Sequence, residues 1–437
     1  MTYRGCLGLV GAALVFLLAC GGSDSSGGGP GATGVPIEEA KSTLARDTSP
    51  HVAAGDYEAL VEGNTALAFD LYGKLASAEK NFFYSPLSVS TALGMTWAGA
   101  RGQTEAQMAQ TLHFTLGQDK LHAALDKLML DLDGRNVAPH DTTEGSKTIR
   151  LQLSNAAWAQ KGYDFVAAYL DTLAVNYGAG VKLLDFAADP DGATTTINEW
   201  VADQTEDKIQ NLIPAGAITS LTRLVLTDTL YFYGNWDRVF TKGLTRDGSF
   251  HAPAADVTVP MMNGTPDVGY AEGDGWQMVD VPYDGRGLAM TIVLPAQGRF
   301  DEVRGELTAQ WLSTSARQLV DQEVSLTLPR FRFAWGSESL RDALISLGMQ
   351  DAFDANKADF TGMAATGHLY ISDVVHKAFV GVDESGTEAA AATGVLVSDT
   401  SAPGRTITVD RPFVFFIRDR GTGTLLFVGH VVDPTQS

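Results

Sequence analysis

Soon after residue 55 apolar residues recur at helical spacing, at Tyr57, Leu60, Ala66, Leu67, Leu71 and Leu75, and the run stops before the turn-like Ala78-Glu79-Lys80-Asn81. The same periodicity predicts helices over Ser88–Ala98, Thr104–Thr111, Gln118–Leu130, Phe165–Tyr177, Ala193–Thr205 and Ser339–Ser346. From Thr222 onward β-branched and aromatic runs take over. They predict strands at Leu224–Tyr233, Gln277–Tyr283, Leu288–Leu294, Val324–Phe333, Leu369–Asp383, Arg411–Ile417 and Leu425–Val432. A helix-rich first part and a strand-rich second part do not alternate as a doubly wound fold requires, so the prediction is an α+β architecture. No internal repeat interrupts it.

With 437 residues, 45% of them hydrophobic, the chain can bury a large core, and length alone suggests two or three domains. A net charge of -21 without a long basic run argues against nucleic acid as a partner and otherwise reads as solubility. The two cysteines, Cys6 and Cys20, both precede the folded part, which therefore has neither a disulfide nor a thiolate metal site. Eight histidines without metal-ligand pairing predict no metal and no cofactor.

The N-terminus reads as an address. Arg4 precedes the uncharged apolar run Gly5–Ala19, too short for a permanent span of a bilayer core of about 30 Å, so residues 1–19 are expected to be a signal peptide. Leu17-Leu18-Ala19-Cys20 resembles the bacterial lipobox, which implies cleavage before Cys20 and acylation of that cysteine; an ordinary signal peptide cut elsewhere is the alternative. Gly and Ser dominate from Gly21 to Gly34, and residues 20–55 are expected to tether the domain flexibly to a membrane. The location expected is the bacterial cell envelope, at the outer membrane or cell surface, or the extracellular space on release.

One segment near the C-terminus, Val382 to Val397, admits two readings. Glu388 followed by Ala389-Ala390-Ala391-Ala392 is a good helix former. As a strand, it would present Thr387, Ala389, Ala391, Thr393, Val395 and Val397 on one face, all small or β-branched. Such a face could slide into an existing sheet without burying a charge, while Glu388 stayed wet on the opposite face.

Glu384-Ser385-Gly386-Thr387-Glu388-Ala389-Ala390-Ala391-Ala392-Thr393 resembles the hinge of an inhibitory serpin. Further segments are similar to that family in order: Asn81-Phe82-Phe83-Tyr84-Ser85-Pro86-Leu87-Ser88, Gly99-Ala100-Arg101-Gly102-Gln103-Thr104, Ile197-Asn198-Glu199-Trp200-Val201, Leu230-Tyr231-Phe232-Tyr233-Gly234-Asn235-Trp236, Val259-Pro260-Met261-Met262, Leu328-Pro329-Arg330-Phe331, His376-Lys377-Ala378 and Asp410-Arg411-Pro412-Phe413. The resemblance runs from about residue 57 to Pro434. It implies one large serpin-like domain over 56–437, overruling the length argument, with three β-sheets, surrounding helices and an exposed reactive loop at about 384–408.

The resemblance implies a monomeric suicide inhibitor of serine-type endopeptidases: the protease cleaves the loop, an acyl-enzyme forms, and insertion of the loop into the central sheet traps it. The family's register places the scissile bond at Thr400-Ser401, with a shift of one residue to Asp399 or Ser401 left open. Val395, Leu396 and Val397 upstream suit an elastase-like or subtilisin-like target, and Arg405 lies too far downstream to be the bait. Ser85, Ser88, His376 and Asp228 match a polar shutter cluster beneath the sheet, with Asp228 where the family more often has Asn; a charge-assisted bond from His376 to Asp228 is expected. Arg330 and Glu384 match an ion pair at the top of the sheet, the breach, and Trp236 a packed residue there.

Two other classes compete. Ser85, Asp228 and His376 could be a hydrolase triad, but Ser85 precedes Pro86 and lacks the G-x-S-x-G elbow. A non-inhibitory serpin acting as a binding or carrier protein is the stronger rival. Such members usually carry bulky, charged or Pro residues where this chain has Thr387 and a run of Ala.

Overall fold

The computed structural model describes residues 34–366, 368–388 and 404–436. The apolar spacing after residue 55 becomes helix α1 (Ala54–Leu75), whose Leu60, Leu67, Leu71 and Tyr72 are buried. Helix α2 (Pro86–Trp97) starts where the Ser85 hydroxyl accepts from the Ser88 amide and Pro86 takes the first position, where a missing N–H costs nothing. The other helices among the described residues are α3 (Gly102–Thr111), α4 (Gln118–Asp133), α5 (Ala167–Tyr177), α6 (Pro190–Gln204), α7 (Phe300–Glu306), α8 (Ala309–Ala316) and α9 (Arg341–Leu347).

Three sheets carry the rest. The largest, of eight strands, runs β1 (Glu38–Ala40), β5 (Val181–Leu184), β4 (Gly145–Gln160), β6 (Leu224–Asn235), β16 (Gly386–Thr387), β15 (Asp373–Asp383), β14 (Phe331–Ser339), with β3 (Val137–Thr142) paired to β4. A second sheet runs β12 (Val320–Glu323), β9 (Asp267–Gly273), β10 (Trp276–Pro282), β11 (Leu288–Pro295), β18 (Phe413–Asp419), β19 (Leu425–Val431), β2 (Phe82–Tyr84). The third is β17 (Thr406–Thr408), β13 (Ser325–Pro329), β8 (Asp256–Gly264), β7 (Arg246–His251). On one face of the central sheet lies the main core with α1 and α2; on the other, Ile197 and Val201 of α6 with Ile209, Leu212 and Ile213 beyond it pack against Val225 and Val375. The architecture is α+β, and residues 33–437 form one unit, not the two or three that length suggested.

Several expectations need correction. The helix-rich first part contains the longest strand, β4, whose second half, Asn155-Ala156-Ala157-Trp158-Ala159, is too rich in Ala to read as alternating. The run Val324–Phe333 is two strands in different sheets: Pro329 has no N–H with which to continue a ladder, and the chain changes sheet at Arg330. Helix α9 begins at Arg341, because Ser339 still belongs to β14. The strand predicted from Leu369 begins at Asp373. Residues 34–55, expected to belong to the tether, lie on the domain. β1 covers the edge of β5, and Ser42 and Arg46 bond Asp171 and Asp126 at 2.5 and 2.8 Å. An uncovered β5 would expose a row of unpaired backbone groups, which gives this segment a place to pair.

Candidate functional site

The site is a seam in the central sheet between β6 and β15, paired differently at its two ends. At the lower end the strands pair directly and in parallel, Asp373 to His376 against Val225 to Asp228. At the upper end β16 separates them, Gly386 and Thr387 pairing with Asn235 and Gly234 on one side and with Asp383 and Val382 on the other. Between these ends no ladder pairing joins Thr229–Tyr233 to Lys377–Gly381 among the described residues. The segment after α6 bears on this stretch: Gln210 O accepts from Lys377 Nζ at 2.8 Å, and Lys208 Nζ sits 5.9 Å from the Phe379 ring centre.

Only glycine fits position 386. Its φ is +155°, and a Cβ there would lie 1.9 Å from the Gly234 carbonyl oxygen. Thr387 follows with 2% exposure, turned inward, its Oγ1 2.6 Å from the Tyr283 hydroxyl. The indole of Trp236 stacks on Tyr283 with centroids 4.6 Å apart and donates to Asp383 O at 3.0 Å. The amides of Trp236 and Phe240 donate to Ser385 O and Glu384 O, both at 2.9 Å. Trp236 is therefore both core and a direct fastener of the hinge.

Arg330 and Glu384 form an ion pair, Arg330 Nε donating to Oε1 at 2.9 Å, and the Thr245 hydroxyl donates to the same oxygen at 2.5 Å. Burial alone would raise the Glu384 carboxyl, but these hydrogen bonds outweigh it and hold it below the ordinary glutamate value. Glu388 departs from expectation. Its side chain is only 3% exposed, its φ is +58°, and its nearest cation, Lys208 Nζ, is 3.9 Å away. Burial raises this carboxyl to about 7, against the lowering influence of Lys208 and Arg332. The expectation of a wet Glu388 assumed a continuing strand; the left-handed backbone at 388 ends the strand and turns the carboxyl inward.

At the lower end Ser85, Ser88, Asp228 and His376 come together, all 0% exposed. The Ser85 amide donates to His376 Nε2 at 3.2 Å, so that nitrogen carries no proton, and the imidazole is protonated on Nδ1, which donates to Asp228 Oδ1 at 2.5 Å. Asp228 Oδ2 has no hydrogen-bond partner among the described residues. The Ser88 hydroxyl does not join this pair; it donates to Asn155 Oδ1 at 3.0 Å, and Asn155 Nδ2 donates back to Ser88 O at 3.1 Å. Sequence reasoning missed Asn155 because it missed β4. It also missed Tyr283 and Thr245, which nothing in their local sequence distinguishes from other strand and turn residues. Ala389 to Thr393, Thr400, Ser401 and Cys20 lie outside the described residues.

A sheet parted by two residues of a following segment, locked below and fastened above, can accept more of that segment as a strand. Residues 62–434 match the family model Serpin, serine protease inhibitor, and the chain belongs to the serpin family. It is 38% identical over 435 residues to an uncharacterized serpin-like protein of Thermococcus kodakarensis, covering 98% of each chain. To the human leukocyte elastase inhibitor it is 36% identical over 392 residues, covering 86% of this chain and all of the other. Among solved structures it resembles the native thermophilic serpin tengpin, at a TM-score of 0.79 and 25% identity over 91% of this chain and all of that one. It also resembles thyroxine-binding globulin complexed with thyroxine, at a TM-score of 0.76 and 28% identity over 86% of this chain and all of that one.

Proposed function

We propose that this protein is a suicide inhibitor of serine proteases, not an enzyme, and that it is an exported, monomeric lipoprotein anchored through Cys20. The observation that carries the inhibitory reading is the seating of Gly386–Thr387 between β6 and β15, above a stretch of seam that is unpaired among the described residues. A target protease attacks the loop at or beside Thr400-Ser401. Each residue beyond Thr387 that then enters the seam gains ladder hydrogen bonds, each worth about 0.5–1.5 kcal/mol net. The inserted loop carries the acyl-enzyme with it before hydrolysis frees the protease. The upstream Val395, Leu396 and Val397, together with the similarity to leukocyte elastase inhibitor, favour elastase-like or subtilisin-like targets.

A hydrolase built on Ser85, Asp228 and His376 has no route for a substrate, since all three are fully buried and Ser85 faces the ring through its backbone N–H. The carrier reading has a relative in its favour, thyroxine-binding globulin, and differs in a measurable way. Incubation with elastase-like and subtilisin-like proteases is expected to give a complex that survives a denaturing gel, with release of a C-terminal peptide beginning at or next to Ser401. The melting temperature should rise sharply after clean loop cleavage. Cleavage without complex, and with unchanged or lower melting temperature, would instead favour the carrier reading. Labelled fatty acid is expected on the wild-type protein and absent from Cys20→Ser.

A further inference from the structure

We propose that Arg405 determines specificity by being withheld: the reactive segment offers no usable basic residue to Arg- or Lys-specific proteases. This deepens the inhibitor reading above and rests on it. Arg405 is the only Lys or Arg between Lys377 and Arg411, so a trypsin-like enzyme has one possible anchor in that stretch. Such an enzyme needs that side chain extended into its acidic pocket and the adjoining carbonyl presented to its nucleophile.

Both are already engaged. The Arg405 carbonyl accepts from the Ser325 amide at 2.9 Å, and Thr406 and Ile407 continue as β17 in parallel register with Ser325 and Leu326 of β13. Ile407 is buried to 1% exposure, which fixes the strand from below. The guanidinium carbon sits over Tyr270, 4.1 Å from the ring centre, and Nη1 donates to the Tyr270 hydroxyl at 2.7 Å and to Glu272 Oε2 at 2.9 Å. The acceptors are themselves set: the Tyr270 hydroxyl donates to Glu272 at 2.6 Å and accepts from Gln277 at 3.1 Å. Tyr270 and Glu272 belong to β9 of the second sheet, so the clamp ties one sheet to the outermost strand of another. An inhibitor consumed by each cleavage gains from this arrangement, because a cut after Arg405 would sever the loop downstream of its bait without trapping anything.

The experiment is limited digestion of the full chain with trypsin, reading fragment masses for cleavage between Arg405 and Thr406. Wild type should resist there. Tyr270→Phe combined with Glu272→Ala removes both acceptors but keeps the ring in the core. It should be cut at that bond about tenfold faster, since proteolysis follows the population of the opened segment and the lost contacts are each modest. Equal cutting of wild type and variant, whether both fast or both slow, overturns the proposal. An unchanged melting temperature assures that the variant is folded. Complex formation with an elastase is measured in parallel: absence of complex with the expected trypsin result refutes the inhibitor reading while the clamp stands.

Discussion

The two ends of the seam use the same two strands in opposite ways. Below, β6 and β15 meet directly, and their last pair, Asp228 and His376, is sealed beneath α2 with one carboxylate oxygen left without a partner among the described residues. Above, two residues hold the strands apart; of the groups fastening them, Arg330 is 41% exposed, while the hinge carbonyls accept from the backbone of the buried Trp236 and Phe240. At the upper end the Glu384 carboxylate is satisfied by Arg330 and Thr245, whereas Glu388 is buried with its Oε2 lacking a hydrogen-bond partner among the described residues. The lower end concentrates its polar cost at one point, Asp228, within the directly paired strands.

Breaking the upper end should have the largest effect. Thr387 is buried against Tyr283, and Arg in its place would carry a charge into a buried site, costing on the order of several kcal/mol. Thr387→Arg should therefore lose covalent trapping by orders of magnitude and behave as a substrate, read from complex on denaturing gels and from recovered protease activity. Thr387→Ser keeps the hydroxyl to Tyr283 and should still trap. Efficient trapping by the Arg variant would mean that the hinge does not lead insertion.

The next effect is a pH slope. The folded protein holds Glu388 at about 7 through burial, above the ordinary 4.5, so between those values the folded state binds more protons than the unfolded one. Stability is then greatest below the lower value and falls as pH rises toward 7, by at most about 3 kcal/mol from this group. Lys208 faces the carboxyl from beyond α6 and Arg332 from β14, both moderating the fall, while Glu206 adds to it. Urea unfolding of wild type and Glu388→Gln at pH 5 and pH 7 tests this. The variant should lose most of the difference between the two pH values; an unaltered difference would remove Glu388 as its source.

How much of this could be read in advance differs by region. The hinge was legible through its resemblance to the serpin hinge; taken alone the segment also read as a helix, and only its strand reading placed Thr387 on an inward face. The glycine at 386 was visible, but not that the close approach of the Gly234 carbonyl demands it, since that contact joins residues far apart in the chain. Glu388 was misread because alternation says nothing about where a strand stops. In the lower cluster Ser85, Ser88, Asp228 and His376 were found, but the partner of Ser88 was not, because Asn155 sits in an Ala-rich strand without a clear period. The order of strands in the sheets depends on tertiary pairing and was out of reach.

The smallest effect sharpens the lower end. His376 donates from Nδ1, so the atom it meets must accept, and both Asp and Asn can offer an oxygen there. Asp228 makes that bond charge-assisted and stronger, but it also places a carboxylate at 0% exposure with Oδ2 unpartnered among the described residues. Asn keeps the acceptor, removes the carboxylate and leaves a neutral amide nitrogen in its place. Burying a charge costs more than burying an unpaired amide, and the loss in the shared bond is on the order of 1 kcal/mol, so Asp228→Asn should stabilise the fold by about 1–2 kcal/mol. Asp228→Ala removes the acceptor altogether, strands the His376 N–H and should destabilise by about 1–3 kcal/mol. Urea unfolding at pH 7 separates the two directions. If Asp228→Asn destabilised as Ala does, the lower end would depend on the strength of the charge-assisted bond, and the contrast with the upper end would lie in pairing alone.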